Sequence, residues 1–241
     1  MVDKRSPLPM YYQIEEDIKI KIDNNEYATG DVIPSERDLS ETYDVSRMTV
    51  RQAVNNLVNE GFLFRQKGRG TFVSEKKIEQ GLQGMTSFTE DMKQRGMTAS
   101  NKLLSFEKVK APQSIAEKLE LSEAASVVMV QRIRFADEQP MAVETTYIPL
   151  TLFPHMQAED IQGSFYQYVE KVQPYKIGKA KQIIEASTAN EQEMEYLQVS
   201  EHSAVLLIER QSRLENGTPF EVVKSAYRAD RYKFISDIHR T

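Results

Sequence analysis

The chain has 241 residues with 36 acidic and 31 basic side chains, a net charge of −5, and no cysteine. That length has room for two domains of ordinary size. The lack of cysteine excludes a disulfide framework and a thiolate metal site. The scattered His155, His202 and His239 form no metal-ligand cluster, so neither metal nor cofactor is expected. No apolar run approaches membrane-spanning length, and MVDKRSPLPMYY lacks the apolar core of a signal peptide. A soluble, cytoplasmic protein with no membrane partner is the expectation.

Residues 1–9 form a proline-rich, extended arm. A first helix is expected from about Met10 to Asn24, with Ile14, Ile18 and Ile22 at four-residue spacing closing a small core with Leu39, Val50, Val54 and Leu57. A second opens at Ser35, where Asp38 completes a capping-box spacing. Tyr43-Asp44-Val45 is a turn, and Ser46 caps a third helix running to Glu60, with Gly61 placed to end it. On that third helix Arg47, Thr49, Arg51, Gln52 and Asn55 are polar and outward, with aliphatic residues behind them. A helix entering a DNA major groove needs this arrangement. Phe62-Leu63-Phe64 and Thr71-Phe72-Val73 then pair around Gln66-Lys67-Gly68-Arg69-Gly70, a tip small and cationic enough for a phosphate backbone or a narrow minor groove. The pattern is a winged helix-turn-helix. Its local charge resolves the apparent conflict with an acidic chain: residues 45–73 hold five basic residues and one acidic. Phosphate binding depends on where the cations lie.

The expected domains are therefore 1–75, DNA-binding; 76–83, a polar linker; and 84–241, an effector-binding and dimerisation domain. The last contains an internal repeat at an offset of 78 residues. Ala111-Pro-Gln-Ser-Ile-Ala-Glu-Lys-Leu119-Glu-Leu-Ser122 matches Ala189-Asn-Glu-Gln-Glu-Met-Glu-Tyr-Leu197-Gln-Val-Ser200, and Val127 to Arg132 matches Val205 to Arg210. Each unit reads as strand, short helix and hairpin, with turns at Asp137-Glu138 and Asn216-Gly217. Two such units form most economically one antiparallel sheet with helices on one side, so the fold class is α+β.

A ligand site is expected where the halves meet. Arg132 and Arg134 alternate on one strand and so share a face, as an anion clamp requires. Glu144 lies on the returning strand and Glu221 on its counterpart in the second copy. Carboxylates suit sugar hydroxyls. Ser87, Phe88 and Thr89 precede a short helix, and Ser164 with Tyr166 marks a second such turn. Each has a plainer reading. Spacing alone slightly favours a cross-strand salt bridge on a solvated face for Arg132, Arg134 and Glu144. Thr86-Ser87 reads equally as a helix cap, and Tyr166 and Tyr227 as core-edge aromatics.

The segment PSERDLSETYDVSRMTVRQAVNNLVNEGFLFRQKGRGTFVS resembles the DNA-binding domain of the GntR family of bacterial transcription regulators, over nearly all of residues 7–74. The resemblance implies that Arg37, Arg47 and Arg51 contact operator bases or phosphates, with Gly68 at the wing tip in the minor groove. The caps Ser35 and Ser46, with Thr49, Lys67 and Arg69, complete the candidate DNA-binding set. Residues 83–240 resemble the effector domain of the HutC branch, similar in fold to chorismate lyase. Within it GLQGMTSFTEDMKQRGMT, RIRFADEQPMAVETTYIP and NGTPFEVVKSAYRADRYKF are similar to repressors of N-acetylglucosamine utilisation in Gram-positive bacteria. This implies an effector such as glucosamine-6-phosphate or N-acetylglucosamine-6-phosphate. Ser87-Phe88-Thr89, Arg132, Arg134, Ser164 and Tyr166 would hold the phosphate, and Glu144, Glu221 and Tyr227 would surround the sugar. Val172 to Gly178 departs from that pattern. A homodimer on a near-palindromic operator is expected, since half-sites mirror two-fold symmetry. The alternatives are another sugar phosphate or a small carboxylate as effector, or a lyase-like enzyme. The chain offers no paired histidines, cysteine nucleophile or Ser-His-Asp grouping for catalysis, so an enzyme is not expected.

Overall fold

A computed structural model describes residues 3, 5–66, 68–74, 77–122 and 124–238. Lys67 and His239, singled out above, lie outside the described residues. The chain divides into two compact units, residues 1–78 and 79–241.

The first unit holds helices α1 (Met10–Asp23), α2 (Glu36–Tyr43) and α3 (Arg47–Asn59), then the hairpin of β1 (Leu63–Gln66) and β2 (Gly70–Val73). Ile14 and Ile18 are fully buried against Leu39, Val50, Val54 and Leu57, with Ile22 partly buried at the margin. Each full burial of an aliphatic side chain of this size contributes about 1.5–3 kcal/mol, so the isoleucine stripe is what holds α1 on the pair α2–α3. Asp44 at φ 51° makes the turn between α2 and α3, and Gly61 at φ 83° ends the reversal after α3. The hairpin runs in register from Leu63 opposite Val73 to Gln66 opposite Gly70. Gly70 sits at φ 127°, and a Cβ there would lie 3.0 Å from Val32 Cγ2, so the wing needs glycine at that point.

In the second unit a six-stranded antiparallel sheet has the order β4-β5-β6-β9-β8-β7. Its first half is β4 (Ala99–Lys110), α5 (Gln113–Lys118), β5 (Ser126–Ala136) and β6 (Gln139–Pro149). The second half repeats it as β7 (Ile177–Thr188), α7 (Glu191–Leu197), β8 (Ala204–Leu214) and β9 (Pro219–Arg228). The copies meet where β6 pairs with β9, so the repeat read in the sequence is the architecture of the sheet. Within the stretch expected as linker, β3 (Ile78–Gly81) pairs with the last strand, β10 (Tyr232–Ile235).

The helices do not all lie on one side. The repeat helices cover one face: α5 packs on Val127 and Val222, and Leu197 of α7 on Val143 and Val205. The opposite face, which carries Val128, Val130 and Ile148, is covered by Phe153, Met156, Ile161, Phe165 and Val169. These belong to the connection between the copies, with a 3-10 turn at Ala158–Ile161 and α6 (Phe165–Gln167) running into a π-helical turn at Tyr168–Val172. The one-sided expectation fails because that connection carries its own apolar residues and buries them on the free face of the sheet. The remaining helix, α4 (Phe88–Gln94), precedes β4.

Candidate DNA-binding face and effector pocket

On the first unit, alternation along α3 turns Val50, Ala53, Val54 and Leu57 inward and leaves Arg47, Met48, Arg51 and Gln52 exposed. Ser46 Oγ accepts from the Thr49 N–H at 3.2 Å and lies 2.9 Å from Thr49 Oγ1, so Ser46 caps the presenting end of the helix and its hydroxyl is tied to that of Thr49. Ser35 and Asp38 form the capping box of α2, Ser35 Oγ accepting from the Asp38 N–H at 3.2 Å. Arg37 is exposed and donates to Glu41 at 3.0 Å. Gly68, at φ 75°, and Arg69 are exposed at the wing tip.

Glu36, which the sequence reading passed over, bridges the two DNA-facing elements. One oxygen takes Arg51 Nε of α3 at 2.9 Å, and the other takes Arg65 Nη2 of β1 at 3.1 Å. Its place inside the P-S-E-R segment, an acid among outward arginines, was the available signal. Met48 is the other omission, an apolar side chain 67% exposed beside Arg47.

On the second unit, strand alternation places Arg132 and Arg134 of β5 on the face that carries Glu144 of β6 and Tyr227 of β9. Arg132 Nε donates to Glu144 Oε2 at 2.9 Å and Nη1 to the Ile161 carbonyl at 3.1 Å. Arg134 Nε lies 3.5 Å from the same carboxylate oxygen without a hydrogen bond, while Nη2 donates to Thr89 Oγ1 at 3.2 Å. Its guanidinium stacks 4.6 Å from the centre of the Phe88 ring. The cross-strand ion pair anticipated from spacing exists, but it is buried rather than solvated: Arg132, Arg134 and Glu144 are 7%, 2% and 7% exposed.

Glu144 and Glu221 are not equivalent in the repeat. Arg132 faces Glu144 across the β5–β6 pair, whereas its mate Arg210 faces Val223 across β8–β9. Glu221 instead faces Ser212, the mate of Arg134. Glu221 accepts from Ser212 Oγ at 2.7 Å and Tyr166 Oη at 2.9 Å. These environments shift the two carboxyls in opposite directions. Burial pushes the Glu144 carboxyl up, but the guanidiniums of Arg132 and Arg134 outweigh it and hold the group below its ordinary value. Burial raises the Glu221 carboxyl, and its hydroxyl donors and Arg210 only partly offset that. Burial likewise lowers Arg134 and pushes the Tyr227 phenol up to about 12.

Ser87 is the N-cap of α4 and its hydroxyl is engaged in a reciprocal box with Glu90; Ser164 caps α6 through the Gln167 N–H at 3.3 Å. Every candidate effector residue except Thr89 lines one cavity of about 40 Å³, and Thr89 touches it through Arg134. Arg210 also lines it and was not among the candidates, although the repeat names it as the partner of Arg132. Three buried polar atoms of this face lack a hydrogen-bond partner: Arg134 Nε, Arg210 Nε and Thr146 Oγ1. Native interiors satisfy most such groups, so these atoms are open to a further polar partner.

A profile described as "Bacterial regulatory proteins, gntR family" matches residues 10–73, and a UTRA domain profile matches residues 94–233. The chain is 45% identical over 239 residues to the HTH-type transcriptional repressor NagR of Bacillus subtilis, covering 99% of this chain and 98% of that one. The chain belongs to the GntR family. This GntR regulator is also 32% identical to the mannosyl-D-glycerate transport/metabolism system repressor MngR of Escherichia coli, covering 94% of each chain. Among solved structures, PhnF from Mycobacterium smegmatis superposes with a TM-score of 0.66 at 27% identity, covering 95% of this chain and 100% of that one. NagR and MngR are both named as repressors. No described helix of the GntR chain is long and apolar enough to cross a membrane.

Proposed function

We propose that this GntR regulator is a homodimeric, cytoplasmic repressor of aminosugar-utilisation genes. Its hold on a near-palindromic operator is set by a sugar phosphate, glucosamine-6-phosphate or N-acetylglucosamine-6-phosphate. The DNA-reading set is Ser35, Arg37, Ser46, Arg47, Thr49, Arg51, Lys67, Gly68 and Arg69. Arg47 and Arg51 near the start of α3 reach base edges or phosphates, while the wing tip at Gly68 enters the minor groove. Residues 76–83 join this domain to the effector domain.

The single observation that carries the effector reading is the buried guanidinium pair Arg132–Arg134, with Arg134 Nε short of an acceptor at a cavity wall. A phosphate supplies several acceptor oxygens and a double negative charge, matching both the unmet donor and the excess of arginine over carboxylate in the cavity lining. Thr89, Ser87, Ser164 and Tyr166 border the phosphate, and Glu144, Glu221 and Tyr227 face the sugar. Ligand binding favours one conformation of the effector domain, and its effect on DNA binding is bounded by its differential affinity for the two states. Fluorescence anisotropy of the full chain on a palindromic operator, titrated with aminosugar phosphates, tests the reading. The expected outcome is a sequence-specific complex whose affinity changes on titration. A complex indifferent to every sugar phosphate removes the effector assignment, and no specific complex removes the whole reading.

A further inference from the structure

Resting on the reading of α3 as the helix that meets DNA bases, we propose that Glu36 is a positioning residue for operator recognition. It fixes the Arg51 guanidinium in the pose that meets a base. Its contribution is therefore to discrimination among sequences, not to affinity for DNA at large.

Glu36 is an acid on a face that must approach phosphate, and by charge alone it opposes binding. Its partners show what it does there. Arg51 comes from α3, 15 residues away, and donates Nε to Glu36 Oε2 at 2.9 Å. Arg65 comes from β1, 29 residues away, and donates Nη2 to Glu36 Oε1 at 3.1 Å. With each oxygen taken by a different element, the carboxylate cannot turn from Arg51 without giving up Arg65. One side chain thus joins the first turn of α2, the reading helix and the root of the wing.

The neighbouring pair of Arg37 and Glu41 is built differently. Both lie one turn apart on α2, both are exposed, and the pair ties nothing outside its own helix. The Glu36 side chain is only 27% exposed, against 52% for Arg51 and 45% for Arg65, so the acid sits deeper than the cations it holds.

The atom that Arg51 commits also matters. Bidentate readout of a guanine takes two N–H groups of one guanidinium. With Nε given to Glu36, the two terminal nitrogens stay available, and neither makes a hydrogen bond among the described residues. Immobilising a long side chain only on binding costs about threefold to tenfold in affinity. Holding Arg51 beforehand avoids that cost at the operator. A non-specific complex, which rests on phosphate contacts, gains nothing from it. Exposed pairs of this kind contribute little to folding, so the effect belongs in recognition and not in stability.

Fluorescence anisotropy of the full chain tests this on two duplexes, an operator selected from random sequence by the wild-type chain and a scrambled duplex of the same composition. Glu36→Gln should weaken the operator complex by about fivefold to tenfold while the scrambled duplex binds equally or more tightly. Loss of an unfavourable charge alone would tighten both complexes. A folding defect would weaken both and lower the melting temperature. Either result, or an unchanged operator complex, overturns the positioning role while leaving the DNA-reading face intact. In an Arg51→Ala background Glu36→Gln should change operator affinity by less than about twofold, because the residue it positions is gone. An undiminished loss in that background also overturns the role. If selection yields no preferred sequence, the DNA-reading assignment falls and the role of Glu36 falls with it.

Discussion

The two units of this GntR regulator use arginine in opposite ways. In the DNA-binding unit Arg37, Arg47 and Arg51 are exposed on helices whose other faces make the core, and the acids near Arg37 and Arg51 sit in the same solvent-facing layer. In the effector unit Arg132 and Arg134 are inside, within a few ångströms of a buried carboxylate. An exposed ion pair contributes little to folding and is readily exchanged for a phosphate, which suits a surface that must find and leave DNA. A buried pair is tied to the fold, because removing one partner strands the other in a medium that cannot solvate it. The acceptor chemistry is shared, but in one unit recognition is separable from stability and in the other it is not.

The sharpest test of that contrast is Arg132→Ala. Glu144 keeps only the longer contact to Arg134, so the effector unit should lose about 3 kcal/mol of stability, read by urea denaturation of the full chain as an earlier effector-unit transition. A change below about 0.5 kcal/mol would show the pair to be as dispensable as a surface one. Next comes Arg51→Ala, expected to cost about 1–3 kcal/mol of operator discrimination with folding stability held within about 0.5 kcal/mol. Large destabilisation in the melt would break the claimed separation. Ser46→Ala and Ser87→Ala each remove an N-cap and should cost about 1 kcal/mol of stability. Only the first should shift operator affinity without ligand, and only the second should shift effector affinity.

The gentlest expected effect is in acid. Glu144 is held below its ordinary value in the folded chain, so between the folded and unfolded values the unfolded state binds more protons. Its contribution is present above the unfolded carboxylate range and is lost as pH falls through the folded value. Glu144→Gln should flatten that part of a stability-against-pH curve, and an unchanged acid limb would assign the loss to other carboxylates.

Much of the DNA-binding unit was legible because its signals are local. A cap is written in residues three apart, as in Ser35 and Asp38; a helix face in residues four apart, as in Ile14 and Ile18; a wing tip in Gly68 and Gly70. The repeat carried legibility into the effector unit, since two copies at a fixed offset disclose a strand order that neither discloses alone. It also pointed to Arg210, which was passed over because no separate motif surrounds it. Glu144 and Glu221 do lie on corresponding strands, β6 and β9, but their positions on those strands do not correspond. Cross-strand partners depend on hairpin length, and the turn of the second copy is longer, Arg213 facing Pro219 where Phe135 faces Pro140, so Val223 falls where Glu144 stands. Glu36 was missed because its partners lie 15 and 29 residues away.

By itself, then, the sequence determined a winged helix-turn-helix with a basic reading face, a duplicated antiparallel sheet, and arginines alternating onto one side of it. Periodicity and capping are short-range physics, so neighbouring residues suffice to write them. Tertiary structure alone decided that the connection between the copies would roof that side and turn a potentially solvated ion pair into a buried one. It also decided that Arg210 would line the cavity facing Val223 rather than a cross-strand carboxylate. Burial and cross-strand register depend on what distant segments cover, and no window of sequence contains both the covered residue and its cover.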